Sequence, residues 1–315
     1  MYKIRYFLAL LLLTACGQTA AIKIDPDIKN TKTNKHINIP GTRLYMIPPP
    51  GFNVSSTFIG LQKGESAIIN IYDLVGGNIN TNAATFSQAE FERQGAKVIE
   101  FKAISVNDFP AKYIQMQGDP VTKGQSLVFG DTTFTTMIMT SYPANDEKTG
   151  NDIIQSLNTI YYDKNKKIDP FEAANFSIDD KASKFKFSQY AANVYVYTTG
   201  GVNTEEDKDA PVVLISQYPK EETMTGKSLT DMLVNKIQQK GITIHGRKNT
   251  FIGKINGYDA YQTELYGHMQ GNYSLLYYCV LIKGDKVITI QGSSKNNMAA
   301  NLEEFKKMAR AVKIK

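Results

Sequence analysis

One order of blocks occurs twice along this chain, and that repetition limits the fold more than any single motif does. "TRLYMIPPPGF" (42–52) and "SAIINIYDL" (66–74) open the first half; "SKFKFSQYAANVYVYTT" (183–199) and "PVVLISQYP" (211–219) open the second. Both pairs are rich in β-branched and aromatic residues and are bounded by Pro or Gly, the pattern of strands. A helix with matching apolar spacing follows. Phe86 and Phe91 before Gly95 correspond to Met232 and Ile237 before Gly241, each glycine standing where a helix C-terminus is capped. The clearest correspondence is ungapped: Asn107 to Gly118 (NDFPAKYIQMQG) lies over Asn256 to Gly267 (NGYDAYQTELYG), with Phe109 opposite Tyr258 and Met116 opposite Leu265.

Further strands follow in both halves. "SLVFG", the turn Gly130-Asp131 and "TFTTMIMTS" match "YSLLYYCVLI", the turn Gly284-Asp285 and "KVITIQGSS". Each half closes with a helix, carrying Ile154, Leu157 and Ile160 in the first and Leu302, Phe305, Met308 and Val312 in the second. Short connections favour antiparallel pairing, and apolar stripes on the helices pack them against a sheet. Strands 134–140 and 275–282 are apolar on both faces, so parts of the sheets are expected to be covered on both sides. The fold class expected is α+β: two tandem antiparallel-sheet domains with packed helices, at 39–163 and 170–315, joined near "DKNKKIDPFE" (163–172).

This block order, together with "YMIPPPGF" as a strand followed by a Pro-x-Gly-aromatic opening, resembles the Mog1p/PsbP-like fold and the DcrB-like bacterial lipoproteins that carry it. The second half has "FSIDDKASKFKF" in place of that opening and joins the resemblance through the internal repeat. The resemblance implies a mostly non-catalytic role in protein binding or complex assembly, and it carries over no set of functional residues.

The N-terminus points to a location. Lys3 and Arg5 precede an apolar run from Tyr6 to Leu13, too short for a span of about 20 residues and of the length of a signal-peptide core. The tetrad Leu13-Thr14-Ala15-Cys16 resembles the bacterial lipobox, which implies acylation of Cys16 after removal of residues 1–15. Stable anchoring takes more than one acyl chain. Gly17, in place of an aspartate, favours an outer membrane where there are two. Residues 16–38 are polar, rich in Lys, Asn and Thr, and without apolar period, and so are expected to form a flexible tether. Loss of Lys3 and Arg5 lowers the formal net charge from +6 to about +4, spread along the chain with no nucleic-acid footprint.

Chemical motifs are few. Once Cys16 is lipidated, Cys279 in "LLYYCVLIK" is the remaining cysteine, so no intramolecular disulfide is expected. Its apolar strand marks it as a small buried hydrophobe. His36 falls in the tether; His245 and His268 fall 23 residues apart at strand ends, without metal-ligand spacing. "TGKS" (225–228) has Glu221 where a phosphate-binding loop needs glycine, and reads as a turn with Ser228 or Thr230 as N-cap. "TEEDKD" (204–209) and Asp163, Asn165 and Asp169 are acidic, but Ile168 replaces the glycine of a calcium loop. Eighteen tyrosines, such as Tyr195, Tyr197, Tyr258, Tyr261 and Tyr266, are expected to be strand formers at sheet margins more than the lining of an interface, and the absence of tryptophan weakens a carbohydrate platform.

These observations favour a non-catalytic, lipid-anchored envelope protein with a protein partner, no cofactor, no metal and no nucleic acid. The alternatives are a carrier of an apolar ligand and, further off, a hydrolase using Cys279 or His268.

Overall fold

The computed structural model describes residues 22–179, 181–191, 193–201, 209–269 and 271–315. Cys16, its signal segment and residues 204–208 lie outside them. The chain is a β-rich α+β protein built on two large sheets, antiparallel but for one short parallel pair.

In the first part, β1 (Asp27–Ile28), β2 (Ile37–Asn38), β3 (Leu44–Met46), β4 (Asn53–Val54), β5 (Gly60–Lys63) and β6 (Ala67–Val75) precede α1 (Ile79–Asn82) and α2 (Gln88–Arg93). They are followed by β7 (Lys97–Val106), β8 (Phe109–Asp119), β9 (Thr122–Gly130), β10 (Phe134–Pro143), α3 (Glu147–Leu157) and β11 (Tyr161–Tyr162). In the second part, β12 (Phe176–Ile178), β13 (Phe185–Ala191), β14 (Val194–Thr199) and β15 (Val212–Pro219) lead to α4 (Gly226–Gln239). Then come β16 (Thr243–Ile255), β17 (Tyr258–Met269), β18 (Asn272–Lys283), β19 (Lys286–Ser294), α5 (Met298–Ala311) and β20 (Val312–Ile314).

Strand order repeats. The first sheet runs β1-β7-β8-β9-β10-β6-β5-β4 and the second β13-β14-β15-β19-β18-β17-β16. Read from β7 and from β16, the two orders coincide strand for strand over seven strands. Local chemistry repeats with it. Asn107 and Asp108, like Asn256 and Gly257, take positive φ in the two-residue turns after β7 and β16, which the right-handed twist of a hairpin requires. Gly95 and Gly241 both take the left-handed C′ position of the same helix stop. In one, Ala96 N–H donates to Phe91 O and Gly95 N–H to Glu92 O; in the other, Ile242 N–H donates to Ile237 O and Gly241 N–H to Gln238 O.

Each sheet is covered on both faces. α3 lays Ile153, Ile154 and Leu157 into a core with Ile69, Ile71, Tyr113, Leu127, Phe129 and Phe134. Phe86, Ile114 and Val128 form the opposite layer beside α1 and α2. In the second sheet α5 contributes Leu302, Phe305 and Met308 to a core with Ile215, Tyr277, Cys279 and Ile290. On its other face α4 sets Leu229 and Val234 over Leu265, Tyr278 and Val280. Being covered on both faces, β18 is buried from Ser274 to Leu281.

Four expectations change. The tether does not extend to 38. Ile24 and Ile28 are buried in the first core, and β1 pairs parallel with the end of β7. Asn30 donates to Asn158 O and Ile160 O, so residues 22–38 are laid along the sheet. The single helix expected around Phe86 is two short ones, interrupted because Ser87 caps α2. Ile160 and Val312 lie just past α3 and α5 yet stay buried, since the chain continues into β11 and β20. The strand of the "YMIPPPGF" opening belongs to a separate three-stranded sheet, β11-β3-β2.

The join at 163–172 is tied down. Lys166 Nζ donates to Thr42 O, Glu172 Oε2 accepts from Gly41 N–H, and Tyr195 OH donates to Pro170 O. Tyr190 packs against both large cores.

Candidate functional site

Nucleophile and base are kept apart. Cys279 faces the second core, and burial pushes its thiol up to about 12. It pairs with Gln262 on β17, whereas His268 pairs with Tyr273, six positions back along β18. At about 3.4 Å per residue that is about 20 Å, too far for proton transfer between them.

His36 is fixed in the docked segment. Its Nδ1 accepts from Thr33 N–H at 3.1 Å, which leaves Nε2 protonated to donate to Thr159 O at 2.8 Å. Both nitrogens are satisfied by backbone groups, a structural role. "TGKS" opens α4, but with the cap one residue before the motif's glycine. Thr225, not Ser228 or Thr230, is the N-cap, and Ser228 closes a capping box with it. A Cβ on Gly226 would meet Tyr261 Cβ at 2.6 Å, so this glycine serves close helix-to-sheet packing. Asp163 and Asp169 accept from the N–H groups of Asn165 and Phe171 in local turns. Asp209 pairs with Lys295 at 2.6 Å. Among the described residues no three His, Cys, Asp or Glu side chains gather as metal ligands.

The most heavily connected polar group escaped sequence reasoning. Asp73 is buried and accepts from Arg43 N–H, Nε and Nη2 at 2.8, 3.1 and 3.0 Å. Tyr162 OH adds a bond at 2.8 Å and Thr136 one at 3.2 Å. The guanidinium lies over the rings of Phe134 and Tyr162. Burial opposes its charge, but the Asp73 carboxylate outweighs that and holds Arg43 above the usual guanidinium range. Its groups are enclosed and mutually satisfied. Tyr195 and Tyr197 are likewise interior, and Tyr261 is buried under α4, not at a margin.

Two depressions mark the surface. One of about 560 Å³ is bordered by Lys29, Asn30, Thr33, Lys35, His36 and Ile47. Another of about 220 Å³ lies beside the join, bordered by Val54, Phe58, Glu172, Asn175 and Lys286. Charged and amide groups along both rims make them poor containers for an apolar chain.

β16 carries two neighbouring exposed apolar side chains. It is the last strand of its sheet, and its outer edge pairs with no strand among the described residues. Ile252 is 76% exposed and Phe251 43%. Register slips at Ile244/Gly246 and Lys248/Phe251, after which Phe251 to Ile255 pairs regularly with Gln262 to Tyr258. The counterpart strand β7 has its edge taken at the same end. Ser105 N–H donates to Pro26 O at 3.0 Å and Asn107 N–H to Ile28 O at 2.8 Å. Exposed apolar side chains on a free edge invite strand addition.

His245 and His268, distant in sequence, meet at the far end of the same hairpin, with Nε2 and Nδ1 at 2.6 Å. No spacing rule would have paired them, because a bulge in β16 sets the contact.

No family model matches the chain, and no curated protein matches it. Solved structures with partial likeness include the cyanobacterial PsbP (CyanoP) of Synechocystis sp. PCC 6803, at 15% identity over 44% of this chain and 91% of that one, TM-score 0.28. LpqN of Mycobacterium tuberculosis, involved in cell envelope biogenesis, aligns at 9% identity over 42% of this chain and 78% of its own, TM-score 0.31. The type VI immunity protein TplEi of Pseudomonas aeruginosa aligns at 11% identity over 89% and 97%, TM-score 0.32. The chain spans less than half, 45%, of a Bacteroides thetaiotaomicron protein that it matches at 11% identity. No helix among the described residues is long and apolar enough to cross a membrane.

Proposed function

We propose that this chain is a non-catalytic, lipid-anchored protein of the cell envelope, built from two copies of one PsbP-like domain, that binds a partner protein. Acyl chains on Cys16 hold it to the membrane, the outer one where there are two. An extended segment of the partner adds as a strand to the outer edge of β16 along Phe251 to Ile255. The observation that carries the reading is the asymmetry between equivalent edges. β7 has its last two residues, Ser105 and Val106, covered by the chain's own β1, while β16 presents Phe251 and Ile252 to solvent near the same end. Main-chain bonds would supply affinity in such a pairing and the two exposed side chains selectivity. For the anchor, the support is the sequence Leu13-Thr14-Ala15-Cys16 after a short apolar run.

A photoreactive phenylalanine analogue at position 252, in intact cells, tests the edge. The expected result is one dominant cross-linked protein, absent when the analogue stands at Met139, an exposed residue on β10, and lost on Phe251→Asp. No adduct at 252 beyond that at 139 would overturn the partner reading. Palmitate labelling tests the anchor: wild type incorporates it and Cys16→Ser does not.

A further inference from the structure

We propose that His245 and His268 form a chelating site for a divalent transition ion, with copper(II) bound most tightly. The site lies at the opposite end of β16 from Phe251 and stands independently of the partner reading. β16 and β17 pair Thr243 with His268 and Ile244 with Gly267, then slip, so that Gly246 stands opposite Tyr266. His245 is the extra residue of that bulge, and bulges re-aim side chains. The result is two exposed imidazoles at 87° to one another, ring centres 4.9 Å apart, with Nε2 of His245 facing Nδ1 of His268 at 2.6 Å.

Two neutral imidazoles in this geometry share one proton between two basic nitrogens. A metal ion takes the place of that proton, which moves to the other nitrogen of the donating ring, so that both imidazoles stay neutral and Nε2 of His245 and Nδ1 of His268 each offer a lone pair. Metal–nitrogen bonds of about 2.0–2.1 Å at tetrahedral to square-planar angles need the two nitrogens about 2.9–3.4 Å apart. Opening from 2.6 Å therefore takes a few tenths of an ångström, which rotation of two exposed side chains supplies. Tyr273 flanks His268 at 5.5 Å between ring centres and limits the ring's swing on that side. Two strands hydrogen-bonded to each other hold both ligands in reach, so the second nitrogen binds at high effective concentration. No third His, Cys, Asp or Glu joins them among the described residues, so water completes the coordination and the ion is exchangeable. Imidazole donors select copper, zinc and nickel over magnesium and calcium, and the divalent series peaks at copper.

The test is titration of the purified full chain in detergent with copper(II) chloride, read by calorimetry and by electron paramagnetic resonance. One ion per chain is expected, with nitrogen hyperfine structure from two imidazoles. Zinc chloride should bind more weakly and magnesium chloride not at all. His245→Gln and His268→Gln should each weaken copper binding roughly tenfold or more, because each removes the chelate. His36→Gln should leave it unchanged. Both site residues are exposed, so the variants are expected to fold, which circular dichroism checks. An affinity within about threefold of wild type in either variant, or no binding up to about 1 mM copper, overturns the site.

Discussion

Replacing Asp73 by alanine should do more damage to the first sheet than any other single polar substitution. It strips the acceptor from three Arg43 donors and from the hydroxyls of Tyr162 and Thr136. The guanidinium cannot escape to water, because its own side chain and that of Asp73 are both almost wholly enclosed. Breaking a buried pair from one side leaves an uncompensated charge, a loss of about 3–5 kcal/mol. A typical domain has about 5–15 kcal/mol in all. Hydrogen exchange read by mass spectrometry reports the loss locally. Peptides over 67–75 and 134–143 should exchange roughly two to nearly four powers of ten faster, as 1.4 kcal/mol per tenfold implies for about 3–5 kcal/mol. The double variant Arg43→Met/Asp73→Leu removes both charges together and should recover the part of the loss due to the unpaired guanidinium, but not the part due to the Arg43 backbone N–H and the Tyr162 hydroxyl, which still lack their acceptor. Acceleration below about tenfold in Asp73→Ala, or a double variant as unstable as the single one, would refute the reasoning.

Further outcomes follow from burial. Cys279 should resist iodoacetamide at pH 8 in the native protein whose Cys16 is acylated or replaced by serine, and react within minutes in urea. Burial raises this acid, so the folded state holds its proton more tightly. That contribution to stability is complete below the ordinary thiol pKa and is lost as pH rises toward about 12. Native labelling at the rate of a free thiol would contradict the placement of Cys279. Ile28→Asp should release the docked segment, since burying one isoleucine is worth about 1.5–3 kcal/mol. Trypsin should then cut after Lys29, Lys32 and Lys35 at least about tenfold faster, and equal cleavage in wild type would show that the segment is not held.

The repeat was legible because hairpin turns and helix stops are local chemistry. Asn107 and Asn256, Gly95 and Gly241 occupy backbone positions that few residues tolerate, and they mark equivalent points in both halves. What was hidden depends on contacts between distant segments. Residues 22–38 carry isoleucines at 22, 24, 28 and 37 with no sustained helical or strand period, so composition reads them as tether. They dock because a sheet edge and a cleft beside α3 accept single side chains without regular spacing. Asp73 looked like one polar residue in an apolar strand, and only the fold brings Arg43 and Tyr162 to it. His245 and His268 meet through a bulge, which has no sequence signature beyond Gly246 nearby.

Docking of 22–38 also changes what an acylated Cys16 would do. The twenty-two residues between Cys16 and Ile39 would reach about 80 Å if extended, enough to let the body roam over the bilayer. With the segment laid down from Ile22, five residues are left between it and Cys16, a reach of at most about 20 Å. If Cys16 is acylated as proposed, such a leash would hold the docked segment, with its exposed Lys29, Lys32 and Lys35, near the headgroups. Lysines near an anionic surface each add about 1 kcal/mol of attraction, so on that proposal Lys32 and Lys35, which unlike Lys29 are not paired with Asp108, would act with the leash toward one orientation. The body would then be presented and not merely retained. A partner strand that reaches β16 would meet it at a height set by the fold, and the high local concentration that anchoring supplies would be spent on a restricted set of approaches.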